Sequence, residues 1–165
     1  MATQDDPRLG APPTLGLRRA KSHDVDLIRR LVDSCYQQYV FGDGTKPAPM
    51  NADYEDLVRS GETWVVELDA DLIGVVVFEV WPDHLLLENI AVRRDFRGTG
   101  VGRYLMDFVE EQALERGRTE VRLYTGELMT QNRHYYPQRG YVETHREMMN
   151  GRVAVWYTKS LAPTR

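Results

Sequence analysis

At Val92 the apolar pattern of this chain changes period, and that change restricts the fold more than any other feature. Before it, the runs "ETWVVEL", "DLIGVVVFEVW" and "HLLLENIAV" follow one another with only an Asp-Ala-Asp turn and the Pro82–Asp83 break between them. β-Branched runs joined by such tight turns predict an antiparallel meander. After it, Val101, Leu105, Phe108, Val109 and Gln112 or Ala113 recur at helical spacing until Gly117 stops the run. "TEVRLYT" restores strand alternation, "TQNRHYYPQRG" predicts a short helix ended by Gly140, and "YVETHREM" and "RVAVWYTKSL" predict a closing hairpin around Asn150–Gly151. Upstream, "TLGLRRA" predicts a short strand. Ser22 or Asp24 then caps a helix carried by Val25, Ile28, Leu31, Val32 and Cys35 to about Tyr39. The Gly-, Pro- and Asp-rich "VFGDGTKPAPMNADY" predicts a long loop of the kind that lines sites, before a short helix over about 52–60. Antiparallel runs combined with a crossover helix predict an α+β, or mixed α/β, domain.

The chain of 165 residues is long enough for one ordinary core. One domain is expected over residues 15–162, behind a disordered tail over 1–14 that has no apolar signal segment. A net charge of −4 gives no general attraction for nucleic acid or anionic membranes, and the run Leu72–Phe78 is too short to span a bilayer. Neither partner is expected, and the cytoplasm is the expected location. The single cysteine, Cys35, allows no intramolecular disulfide and no thiolate metal cluster, and no histidine pair has zinc spacing, so no metal is expected.

The junction between the two periods reads "FRGTGVGR", with Gly98, Gly100 and Gly102 between Arg97 and Arg103. A first helical turn leaves its N–H groups unpaired and carries the positive end of the helix dipole. Glycines there let an anion approach the backbone, and the arginines add charge, so the stretch suits a phosphate. The dinucleotide and kinase patterns fail, because their third glycine would fall at Arg103, and the Gly-Lys-Ser/Thr ending of a Walker loop is absent.

What fits is Arg-x-x-Gly-x-Gly, here Arg97, Gly100 and Gly102, after a strand ending in "IAV". This resembles the pyrophosphate-binding motif of the GNAT superfamily of acyl-CoA-dependent N-acyltransferases. The resemblance runs from Glu62 through Leu161 and includes a second signature in "TQNRHYYPQRGY", matched by Asn132, Tyr136, Gly140 and Tyr141. The segment "PAPMNADYEDLV" is similar to that of small-molecule-type members. The resemblance implies a seven-stranded, mostly antiparallel sheet with one splayed pair of strands and about four helices. It also implies acetyl-CoA as cosubstrate, a small-molecule amine as acceptor and, as in many relatives, a homodimer.

The pantetheine arm would lie against Ile90, Ala91 and Val92, with an oxyanion donor near Asn89 or Ile90. The pyrophosphate would lie on the amides of Gly98, Thr99, Gly100, Val101, Gly102 and Arg103, beside Arg97, and Asn132 would bond the arm. Tyr136 matches the tyrosine that protonates the leaving sulfur. With a phenol pKa of about 10 it holds its proton at neutral pH, although an aromatic packing residue reads the same way. For the base, Glu88 is expected on the face shared by Ile90 and Val92, with Glu67, Glu79, His84 and His134 in reserve. Tyr36, Tyr39 and Phe41 stand where the family forms its acceptor pocket, although Tyr36 and Tyr39 also fit core packing at helical spacing, and Asp43, Asp53 and Glu55 are either cation-attracting groups or caps. The competing functions are acetylation of protein N-termini or lysines, and a CoA-binding module without turnover.

Overall fold

The computed structural model describes residues 15–162; the tail expected over 1–14 lies outside the described residues. Seven strands form one sheet: β1 (Leu15–Arg19), β2 (Thr63–Leu68), β3 (Asp71–Val80), β4 (Leu85–Val92), β5 (Glu120–Gly126), β6 (Val142–Met149) and β7 (Arg152–Ser160). Their spatial order is β1-β2-β3-β4-β5-β7-β6. Every neighbouring pair is antiparallel except β4 and β5. Four helices accompany them: α1 (Val25–Tyr36), α2 (Tyr54–Ser60), α3 (Val101–Glu115) and α4 (Thr130–Gln138). The mixed sheet arises because α3 carries the chain across from β4 to β5, the connection that a parallel pair requires.

β3 is apolar at nearly every position because both of its faces are covered. Val76 and Phe78 pack with Leu85 and Leu87 beneath Val101, Leu105, Met106 and Val109 of α3. Val75 and Val77 pack instead beneath Ile28, Val32 and Val58 of α1 and α2.

Two irregularities in β4 shape the centre of the molecule. The first is a bulge: Asn89 pairs with Val77 while Leu87 pairs with Phe78, so Glu88 is an extra residue. A bulge of this kind reverses which side chains face which side. Leu85 and Leu87 point to α3; beyond the bulge that role passes to Ile90 and Val92, while Ala91 joins the α1 and α2 side. The second irregularity is the short parallel pairing, which covers only Leu85–Leu87 against Val121–Leu123. From Glu88 onward β4 leaves β5, as the splayed pair was expected to do.

Three local expectations are refined. The first helix ends as an α-helix at Tyr36 and reaches Tyr39 as a 3-10 turn. Asp24 stands ahead of α1, but its carboxylate accepts from the Lys21 amide (2.7 Å) and from Arg18. α4 continues through Pro137 to Gln138.

Candidate active site

The splay leaves one edge of β4 without a strand partner. The Arg93 amide donates to the Ile73 carbonyl of β3 at 2.8 Å. Antiparallel alternation therefore assigns Ala91 and Asn89 to β3, and turns the N–H and C=O groups of Ile90 and Val92 toward the gap. In keeping with that geometry, the Val92 carbonyl accepts from Cys35 Sγ (3.3 Å) and the Ile90 carbonyl from Tyr36 Oη (3.3 Å). These contacts leave the two amides available to a ligand lying along the strand.

At the far end of that edge lies the glycine turn. Gly98 and Gly100 have φ of 75° and 96°, a left-handed conformation that side chains strain to adopt. Gly102 is helical, so its backbone does not require glycine. A Cβ at Gly98, Gly100 or Gly102 would meet nothing within 4 Å. Gly100 heads α3 with no side chain to cap it, and the first turn contains no acidic residue. The open cradle and the unpaired first-turn amides of α3 fit a diphosphate.

Of the residues assigned to the cofactor, Ile90, Ala91, Val92, Arg97, Gly102, Asn132 and Tyr136 line a single groove, together with Cys35, Tyr36 and Tyr39. Val101 contributes its side chain to the core, leaving only its amide for binding. Thr99 donates to the Phe96 carbonyl through both its amide (3.4 Å) and its hydroxyl, so the amide expected to face the pyrophosphate is engaged within the turn, and Arg103 is exposed. Asn132 Nδ2 donates to Thr125 Oγ1 at 3.1 Å, which fixes the amide and leaves its oxygen free to accept.

A second cavity lies on the other side of the splay. Its walls are Glu88–Ile90, Leu123–Gly126, the loop Lys46–Pro49, and Met149, Asn150 and Arg152–Ala154 around the β6–β7 turn. It shares Tyr36, Ile90, Asn132 and Tyr136 with the groove, so these four residues stand where the two spaces meet.

Tyr136 is 5% exposed and packs edge-on against Tyr141. Burial, reinforced by Tyr135 and Tyr157, pushes its phenol well above the usual tyrosine range. The ring belongs to the core, and the residue also borders both spaces. Glu88 does not share a face with Ile90 and Val92, because the bulge reverses the alternation. It lies with Val77, Glu79 and Tyr124 on the α2 side, where its Oε2 accepts from Tyr124 Oη at 3.3 Å. Burial raises its pKa above the usual carboxylate value, Glu79 adds to the rise, and the Tyr124 hydrogen bond opposes it.

Beside Glu88 a hydrogen-bonded chain fixes the strand. Tyr36 Oη donates to Asn89 Oδ1 (2.8 Å), Asn89 Nδ2 to Tyr54 Oη (3.2 Å), and Tyr54 Oη to the Pro49 carbonyl (2.6 Å). Asn89 is buried, so this chain ties α1, β4, α2 and the loop together at the point where the cavities join.

Of the expected pocket walls, only Tyr36 lines the second cavity. Tyr39 lines the groove along β4, and Phe41 lies under the Arg152 guanidinium, whose carbon is 3.8 Å from the ring centroid. Three reserve bases are engaged elsewhere: Glu67 with Arg18, His84 with Asp83 at the β3–β4 turn, and His134 with Gln138; the fourth, Glu79, lies beside Glu88 and accepts from Trp81 Nε1 at 3.0 Å. Asp53 caps α2 through the Asp56 amide, and Asp43 accepts from the Thr45 amide. The sequence reading missed Tyr124 and Lys46 as lining residues, and although it placed the β6–β7 turn at Asn150–Gly151 it did not make that turn a cavity wall. The loop's composition signals the wall that carries Lys46, whereas nothing local signals that the turn folds over the site.

A model of the acetyltransferase (GNAT) family matches residues 26–141. No curated protein sequence matches the chain. Among solved structures, a GNAT-family acetyltransferase from Desulfovibrio desulfuricans superposes with a TM-score of 0.72 at 21% identity, covering 90% of this chain and 100% of that one. The ribosomal-protein-S18-alanine N-acetyltransferase of Escherichia coli gives 0.71 at 14% identity, covering 92% and 97%. The PaiA N-acetyltransferase of Thermoplasma acidophilum, solved in complex with coenzyme A, gives 0.71 at 11% identity, covering 89% and 99%. With the family model spanning most of the chain and the splayed sheet and glycine cradle in place, this protein belongs to the GNAT acetyltransferase family.

Proposed function

We propose that the protein transfers an acetyl group from acetyl-CoA directly to a primary amine of a small molecule. The observation that carries this reading is the meeting of two spaces at Tyr136: a groove running from the glycine cradle along the free edge of β4, and a separate cavity bounded by Glu88. The cosubstrate supplies the thioester; this chain's residues do the rest. The first-turn amides of α3 and Arg97 hold the diphosphate, and Ile90, Val92 and Asn132 align the arm.

The free Ile90 N–H, expected to face the thioester carbonyl, stabilises charge that develops on its oxygen. Glu88 is the base, acting on the amine directly or through water, and its raised pKa brings it nearer to the proton it must take. Tyr136 donates a proton to the departing sulfur, and its elevated pKa keeps that proton in place until the thiolate forms. Glu88 and Tyr136 border the same cavity, so no acyl-enzyme is required.

The loop Lys46–Pro49 and the β6–β7 turn wall the cavity, which supports a small acceptor over an extended peptide. The test is acceptor-dependent thiol release from acetyl-CoA with a panel of small amines, peptides with free N-termini and lysine peptides. Release with small amines is expected. Preference for the peptides would reverse the substrate class, and CoA binding without any acceptor-dependent release would make the protein a non-catalytic module.

A further inference from the structure

We propose that the acceptor carries a carboxylate near its amine, and that Arg152, assisted by Lys46, selects it. The proposal rests on the amine-acetyltransferase reading above and names the class of amine. Both cationic residues line the acceptor cavity, Arg152 from the start of β7 and Lys46 from the loop whose Thr45 carbonyl Arg152 contacts.

Arg152 is held for recognition. Its Nη2 donates to the Tyr39 carbonyl at 2.8 Å, its Nη1 to the Thr45 carbonyl at 3.2 Å, and its plane covers the Phe41 ring. These contacts fix the fork while engaging only part of its five N–H donors, and neutral carbonyls leave the charge uncompensated. Other half-buried arginines here have carboxylates: Arg18 has Asp24 and Glu67, Arg116 has Glu62, and Arg139 has Asp107 and Glu110. Among the described residues Arg152 has no carboxylate within ion-pair distance. Asp43 acts on it only as a more distant charge, with its own oxygen taken by the Thr45 amide. Lys46 likewise forms no ion pair among the described residues, and it is exposed.

A desolvated guanidinium without an anion is costly unless something else supplies one. Burial does depress the Arg152 pKa, yet guanidinium stays charged at neutral pH. The cavity therefore has cations on the loop and β7 walls and one carboxylate, Glu88, on the β4 wall. A molecule with a carboxylate and an amine complements that polarity, and a planar carboxylate matches the guanidinium fork.

Matched acceptors test this: amino acids against their amides and their decarboxylated amines, with kcat/KM measured for the parent, Arg152→Gln, Arg152→Lys and Lys46→Gln. The parent should favour the amino acids. Arg152→Gln should cut that preference roughly 10- to 100-fold, chiefly through KM, as expected for losing a charge-assisted pair. Arg152→Lys should restore part of it, and Lys46→Gln should lower it less. Comparing ratios between variants cancels differences in amine basicity. Equal losses for acids and amides in Arg152→Gln would make Arg152 a loop clamp and overturn the proposal. Equal use of both classes by the parent would overturn it while leaving amine acetylation standing.

If no amine turns over, calorimetry of the CoA-loaded parent protein with N-acetylated amino acids and their amides decides separately. A carboxylate preference lost in Arg152→Gln would keep the anion site and remove the acetyltransferase reading. Absence of any preference would overturn the site.

Discussion

Replacing Gly102 with alanine separates the demands of the fold from those of the ligand. Gly102 is the second residue of α3 and does not have the positive φ of Gly98 and Gly100. An added Cβ would touch nothing within 4 Å, so alanine introduces no clash. Glycine in a helix is less stable than alanine by about 0.5–1 kcal/mol. In the first turn the low end applies, about 0.5 kcal/mol, which corresponds to a rise of roughly 1–2 °C in Tm for a chain of this size. The same methyl occupies the open side of the cradle that a diphosphate must approach. If it displaces one charge-assisted amide contact, worth roughly 1.5–3 kcal/mol, CoA affinity should fall by roughly 10- to 100-fold. Thermal melting of the free protein and calorimetry with CoA measure the two quantities independently. The expected result is a higher Tm with a weaker Kd. A higher Tm with unchanged Kd would refute the placement of the diphosphate at this helix end. Gly100→Ala lacks this resolving power, because its φ of 96° makes alanine strained by ~1–2 kcal/mol and folding would suffer as well.

The remaining predictions concern the meeting point of the cavities. Tyr136→Phe should reduce turnover by roughly 10²- to 10⁴-fold while acetyl-CoA affinity holds, because the ring packing survives and only the proton is lost; equal turnover would exclude Tyr136 as the acid. Glu88→Gln should lower kcat/KM and remove the acid limb of its pH profile, which in the parent should lie above the ordinary glutamate pKa because burial raises the group. The same shift has a stability consequence. A carboxyl whose folded pKa is raised contributes stability below its unfolded pKa and loses it as pH rises through the folded value. Glu88→Gln should therefore be more stable than the parent at pH 7, with the advantage vanishing on acidification; a melting series against pH checks the sign. Tyr54→Phe should leave Asn89 Nδ2 without its acceptor in a buried position, costing about 1–3 kcal/mol in denaturant unfolding. A neutral result would mean that the hydrogen-bonded chain beside β4 does not hold the strand.

How much of this was legible in the chain follows from the range over which each signal acts. The meander, the crossover helix and the closing hairpin were readable because side-chain periodicity reports local burial: Val76 and Phe78 alternate with Val75 and Val77 wherever the strand sits. The cradle was readable for the same reason, since left-handed turns at Gly98 and Gly100 and a helix start are set within a few residues. Asn132 and Tyr136 were readable as a spacing, but the ring's dual character was not. Whether a phenol is core or site depends on Tyr141, Tyr157 and the edge of β4, which arrive from distant parts of the chain.

The sequence by itself therefore determined the elements, their order and the open, glycine-rich start of α3, because these depend on backbone conformations and short repeats that neighbouring residues impose. Tertiary structure decided which way Glu88 points, since one unpaired residue in the β3–β4 register reversed the alternation that a regular strand would have kept. It also decided that Phe41 would support Arg152, a residue more than a hundred positions away whose guanidinium reaches the Tyr39 carbonyl. Contacts across such separations exist only once the sheet has brought the β6–β7 turn over the loop that follows α1, and no local pattern encodes them.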